Sequence, residues 1–189
     1  VDDFLYIGSA TDAQDTKRLQ DLGIQAVINL TGTDWGTDQR FFDYFQLHQD
    51  DMVAVSPKKL ERFLGWVDGL LAKKVKTLVH CQVGRSRAPS FIIAWKIHRL
   101  GVALPRTLEE LWGDYEKAIL EERPFILPHP VLKASLLDYF KGTTKRTYEV
   151  LDHVAAVLLR NGTPCQWDGV SLILRDGPHR IEITARALP

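Results

Sequence analysis

The stretch LVHCQVGRSRAPSF, Leu78 to Phe91, constrains this chain of 189 residues more than any other. A β-prone apolar run, VKTLVH, leads straight into Cys81, and its Val75, Leu78 and Val79 suit a buried strand. A short loop carrying Gly84 and Arg87 follows. APSFIIAWKIHRLG then reads as a helix, with Pro89 in its first turn and Gly101 at its C-terminal cap. A strand that turns through a glycine loop into a helix needs a sheet with helices packed on it.

The preceding residues supply that sheet. FLYIGS and AVINLT, Ala26 to Thr31, are strand-like. Between them ATDAQDTKRLQDLG has helical spacing at Ala13, Leu19 and Leu22, with Gly23 fitting a C-terminal cap. TGTDWGTDQR reads as a loop and FFDYFQLH as an aromatic strand or turn. SPKKLERFLGWVDGLLAKK predicts a helix with Ser56 as N-cap and Pro57 at the first helical position. Two more helices are expected over TLEELWGDYEKAILEERP and PVLKASLLDYFKG. The fold class expected is α/β, a central mostly parallel sheet flanked by helices. At GTTKR, Gly142 to Arg146, the composition turns polar, so a boundary is expected there. Residues 1–142 form the main domain, and residues 143–189 a small α+β extension of one helix and a β-meander with a tight Asp168-Gly169 hairpin.

Lys plus Arg and Asp plus Glu both number 24, so no global field favours nucleic acid or an anionic membrane surface. Any anion site must be local. Two cysteines, Cys81 and Cys165, are too few for a disulfide framework. No apolar run approaches the roughly 20 residues that span a bilayer. The opening VDDFLYIGS lacks the pattern of a signal peptide, and the chain reads as cytoplasmic.

The loop from Cys81 to Arg87 points to phosphate chemistry. Backbone N–H groups of Gln82, Val83, Gly84, Arg85 and Ser86, set at the positive end of a helix, can cradle a phosphate dianion. A cysteine in such a field favours the nucleophilic thiolate. Arg87 closes the loop with a planar fork that matches two phosphoryl oxygens and holds them more tightly as charge spreads in the transition state. The plainer alternative is a small core cysteine beside a hydrogen-bonded His80. The combination of strand, His-Cys, Gly, Arg and helix start outweighs it.

These residues resemble the signature of the cysteine-dependent protein tyrosine phosphatase superfamily. LYIGSATDAQDTKRLQDLGIQAVINLT and ILEERPFILPHPVLKASLLDYFK are similar to the opening and closing segments of its dual-specificity branch. The resemblance covers residues 1 to 142 and implies a protein tyrosine phosphatase-like fold. It implies phosphate monoester hydrolysis by attack of Cys81, a phosphocysteine intermediate and its hydrolysis by water, with no metal or other cofactor. His80 would support the cysteine. The family's general acid is an aspartate about thirty residues before the cysteine. Asp50, 31 positions before Cys81, is the first choice, and Asp51 the alternative.

Ala88 departs from the family, which usually carries Ser or Thr there to donate to the cysteine sulfur as it leaves. Slower breakdown of the intermediate is the expected consequence, unless the Ser86 hydroxyl or a water substitutes. The RAP triplet is shared with plant glucan phosphatases, and GRSR resembles the loop of phosphatidylglycerophosphate phosphatases, where Arg85 would add a second cation at the pocket floor; a surface arginine pointing outward is the alternative. The partner expected is a phosphotyrosine, phosphoserine or phosphothreonine protein. A phospholipid, inositol phosphate, phosphoglucan or RNA 5′-phosphate, or a non-catalytic phosphate-binding module, are the alternatives. Trp35, Phe41, Phe42, Tyr44 and Phe45 are candidates for the rim of the pocket, with at least two expected in the core. His48, His98, His129, His153 and His179 lack metal-ligand spacing.

Overall fold

The computed structural model of the protein describes residues 4–100, 107–160, 165–167, 171–176 and 179–184. Four strands, β1 (Leu5–Gly8), β2 (Ala26–Asn29), β3 (Asp43–Gln46) and β4 (Thr77–His80), form one sheet in the order β1-β4-β2-β3. All its pairings are parallel, with Val79 beside both Ile7 and Ile28. Parallel strands are covered on both faces, so β2 and β4 are buried throughout.

Alternation along these strands sorts the core into two layers. Ala26, Ile28 and Val79 face a large cluster with Phe63, Phe91, Trp112 and Leu132. These come from α3 (Pro57–Ala72), α4 (Arg87–Leu100), α5 (Leu108–Glu122) and α6 (Pro130–Arg160). Phe63 and Phe91 meet edge to face with centroids 5.0 Å apart. Val27 and Leu78 face the other way, onto Ala13, Leu19, Ile24 and Phe42. Helix α4 is buried over most of its length, which explains why its sequence lacks a polar face.

Several local expectations change. The helix expected between β1 and β2 is two, α1 (Ala10–Gln14) and α2 (Thr16–Asp21). Asp15 lies between them at φ −80° and ψ 74°, and its carboxylate accepts from Arg18 N at 3.0 Å, restarting the helix. Leu22, counted with the apolar face, is 41% exposed. Gly23 does follow the helix in the left-handed region, at φ 73°. Ser56 caps α3 as expected, accepting from Lys59 N, with Pro57 first in the helix. The closing helix does not stop at Gly142: α6 runs 31 residues, from Pro130 to Arg160. An interior glycine costs a helix about 1 kcal/mol. The Thr143 hydroxyl donates to Tyr139 O at 2.9 Å, so the polar stretch begins inside the helix rather than ending it.

A second sheet, β5 (Cys165–Trp167), β6 (Ser171–Asp176) and β7 (His179–Thr184), is an antiparallel meander in that order. The Gly101 cap and the Asp168-Gly169 turn lie outside the described residues. Among the described residues no helix is long and apolar enough to cross a membrane.

Candidate active site

The site sits where β4 ends. Cys81 follows the last strand residue and is 2% exposed, and α4 begins at Arg87, so the loop 82–86 must turn sharply within five residues. Gly84 makes the turn at φ 73°. A Cβ there would lie 2.8 Å from Gly8 O and 3.2 Å from Arg123 Nη2, so glycine is required by space as well as by conformation.

The loop is tied down on every side. Ala10 N donates to Gln82 O at 3.0 Å, and Leu127 N to Arg85 O at 2.8 Å. His129 N donates to the Ser86 hydroxyl at 3.2 Å, and both Ser90 N and the Ser90 hydroxyl donate to Ser86 O. Arg123 Nη1 donates to Ile7 O at 2.9 Å, placing a guanidinium behind the glycine turn. Sequence reading missed Arg123, because its partners lie more than a hundred residues away in β1.

His80 is wholly buried, with Nδ1 3.3 Å from Cys81 O. Burial pushes its imidazole below the ordinary histidine range, and the Cys81 carbonyl only partly offsets this. Ala88 is buried as well, and its methyl group offers no hydroxyl at that position. Gln82, Val83 and Arg85 are exposed and Ser86 is half-buried. The Arg85 side chain therefore stands on the surface, not in a buried pocket floor.

Arg87 is 8% exposed. Its Nη1 donates to Gln49 O at 3.1 Å, and its Nη2 lies 3.9 Å from Asp51 Oδ2. Nε is buried with no acceptor among the described residues, a donor left over for an anionic oxygen. The two acid candidates separate clearly. Asp50 Oδ1 is 2.8 Å from His48 Nε2, while Asp51 is the carboxylate that approaches Arg87.

Gln49, which the sequence did not single out, joins these pieces. It is completely buried. Its backbone N donates to Leu30 O, and its carbonyl accepts from Arg87. Its side-chain amide donates to Asp50 O at 3.0 Å and Val53 O at 2.8 Å. Those bonds close a loop in which Met52 takes a left-handed φ of 57°, unusual for a residue with a side chain.

The aromatic loop contributes less to the core than expected. Phe42 is buried, but Trp35, Tyr44 and Phe45 are only half-buried and Phe41 is 53% exposed. Hydrogen bonds hold the first part of this segment. Asn29 Nδ2 donates to Thr33 O at 2.9 Å, and Trp35 Nε1 donates to the Thr31 hydroxyl at 2.9 Å. Among the described residues no three His, Cys, Asp or Glu converge as metal ligands, and the side chain of Cys165 lies outside them.

Comparison with known proteins agrees with this geometry. The family described as "Dual specificity phosphatase, catalytic domain" matches residues 5–142. A probable dual specificity protein phosphatase of Dictyostelium discoideum is 26% identical over 100 residues, covering 52% of this chain and 36% of its own length. Dual specificity protein phosphatase 2 of Mus musculus is 29% identical over 108 residues, covering 56% and 34%. The chain thus spans about a third of the length of these relatives. Among solved structures, human tyrosine phosphatase-like serine/threonine/tyrosine-interacting protein superposes with a TM-score of 0.61 at 25% identity, covering 73% of this chain and 91% of that one. Human DUSP28 shares the fold, with a TM-score of 0.63 at 18% identity over 77% and 96%. With the strand, cysteine, glycine turn and arginine in place and the family matched across the parallel-sheet domain, this chain belongs to the dual specificity phosphatase catalytic-domain family.

Proposed function

We propose that the protein hydrolyses phosphate monoesters, most of all phosphotyrosine, phosphoserine and phosphothreonine in proteins, through a phosphocysteine on Cys81. The observation that carries this reading is the pairing of a buried cysteine with a buried arginine across one glycine-turned loop, the arginine retaining an unpartnered donor. The thiolate attacks phosphorus and the ester P–O bond breaks. Arg87 and the amides of residues 82–86 hold the oxygens as charge builds on them.

The departing oxygen takes a proton from a carboxylic acid. We assign that role to Asp51, supported by its 3.9 Å approach to Arg87 and by the engagement of Asp50 with His48. Water then attacks the phosphocysteine, giving its proton back to the same carboxylate. The S–P bond breaks, inorganic phosphate leaves, and the thiolate is restored.

The family match ending at residue 142 supports a catalytic domain over residues 1–142 and a separate role for residues 143–189. A cytoplasmic setting suits a catalytic thiol. Hydrolysis of para-nitrophenyl phosphate by the purified protein, abolished by Cys81→Ser, is the expected result. Absence of turnover by the wild type would instead favour a phosphate-binding module.

A further inference from the structure

Ten large apolar side chains are exposed among the described residues, and six of them belong to three segments that touch the phosphate loop or are part of it. Val83, 61% exposed, lies in the loop itself. Met52 and Val53, 61% and 51% exposed, follow Asp51, whose carboxylate approaches Arg87. Phe125, Leu127 and Val131, 51%, 59% and 41% exposed, come from the segment that donates Leu127 N to Arg85 O and His129 N to the Ser86 hydroxyl. Exposed apolar side chains are ordinary when scattered; gathered at one site, they mark a binding surface.

Cys81 is nearly inaccessible, so whatever carries a phosphate to it must lay the rest of its bulk on the surrounding rim. We infer that this rim recognises the substrate: it selects phosphorylated peptide segments with large aliphatic or aromatic side chains flanking the phosphoresidue, and gains nothing from acidic flanks. This rests on the phosphatase reading above. The charges on the three segments argue for a peptide over a bilayer. Asp50 and Asp51 are exposed carboxylates. Arg85 is the only exposed Lys or Arg among residues 50–53, 82–86 and 123–131, because Arg123 is half-buried and donates to Ile7 O. Binding to an anionic membrane surface calls for a cluster of several basic residues. Acidic peptide flanks would likewise meet the two carboxylates.

The test compares three substrates on the full chain: para-nitrophenyl phosphate, a phosphotyrosine peptide with leucine flanks, and the same peptide with glutamate flanks. The leucine peptide is expected to have a kcat/KM on the order of tenfold or more above the glutamate peptide. Leu127→Ser and Val53→Ser, each at an exposed position, should shrink that ratio. Equal rates, or preference for glutamate, overturn the inference, as does a ratio unmoved by either substitution. Sedimentation with vesicles of equimolar phosphatidylcholine and phosphatidylserine supplies the other arm. Binding that Leu127→Ser removes would make the rim a membrane face and overturn the peptide reading. No turnover of para-nitrophenyl phosphate overturns the phosphatase reading itself.

Discussion

The phosphate loop and the loop carrying Asp50 and Asp51 meet at Arg87, yet they are held in opposite ways. Residues 81–87 are tied by backbone and side-chain bonds to α1, to the segment after α5 and to the first turn of α4. Residues 50–53 are exposed, and one buried side chain, the amide of Gln49, closes them from beneath. The loop from Cys81 to Arg87 is thus fixed by the whole fold. The loop of the proposed proton donor is braced chiefly by one side chain, so damage to the two loops should read out differently.

The sharpest way to break the comparison is to remove the acid. Asp51→Asn should lower kcat toward phenyl phosphate, a poor leaving group, on the order of 10²–10⁴-fold, with a smaller loss toward para-nitrophenyl phosphate. Asp50→Asn should spare most activity; the reverse pattern would transfer the role to Asp50. Gly84→Ala attacks the other loop. Its Cβ meets backbone at 2.8 Å in a left-handed conformation, so activity should fall about a hundredfold on both substrates alike, with a lowered Tm.

Gln49→Leu tests the single brace. It removes two hydrogen bonds but also a buried Oε1 that has no partner, so stability should change by only about 1 kcal/mol. Turnover of phenyl phosphate should still fall about tenfold more than that of para-nitrophenyl phosphate. Equal losses would mean the glutamine supports the fold rather than the acid. Met52→Gly in that background, by freeing the left-handed turn, should sharpen the result in either direction.

Smaller effects are expected within the phosphate loop. Ala88→Ser supplies the hydroxyl that the family usually carries there, and a few-fold faster breakdown of the phosphoenzyme should appear as a reduced burst in rapid-quench measurements. His80, held neutral by burial, contributes stability above the ordinary histidine pKa, and that stability is lost as pH falls below it, because the unfolded chain takes up the proton first. Urea midpoints measured between neutral and mildly acid pH should fall more steeply in the wild type than in His80→Asn.

The turn from Cys81 to Arg87 and the parallel sheet were legible in the sequence because strand, glycine turn and helix start are local signals within one short run. Which of Asp50 and Asp51 approaches Arg87 was not legible, since adjacent carboxylates differ only once the loop is closed over Gln49 and Arg87. Arg123 escaped notice because its bond to Ile7 is tertiary, and Gln49 because an amide that closes an irregular loop leaves no periodic pattern. The break at Asp15 turned on a side-chain cap inside a helical pattern. At Gly142 a glycine and a polar run read as the end of a helix where the backbone continues.

The strand order also dictates when the protein can become an enzyme. β1 and β2 never touch, and each pairs with β4, which leads directly to Cys81. A nascent chain that has not yet released residue 80 has nothing to bridge its first two strands, and sheet closure waits on contacts between residues some seventy positions apart, such as Leu5 and Thr77. The strand that completes the sheet is therefore the one that delivers Cys81, and the loop after it is finished only when Leu127 and His129, more than forty residues further on, add their hydrogen bonds.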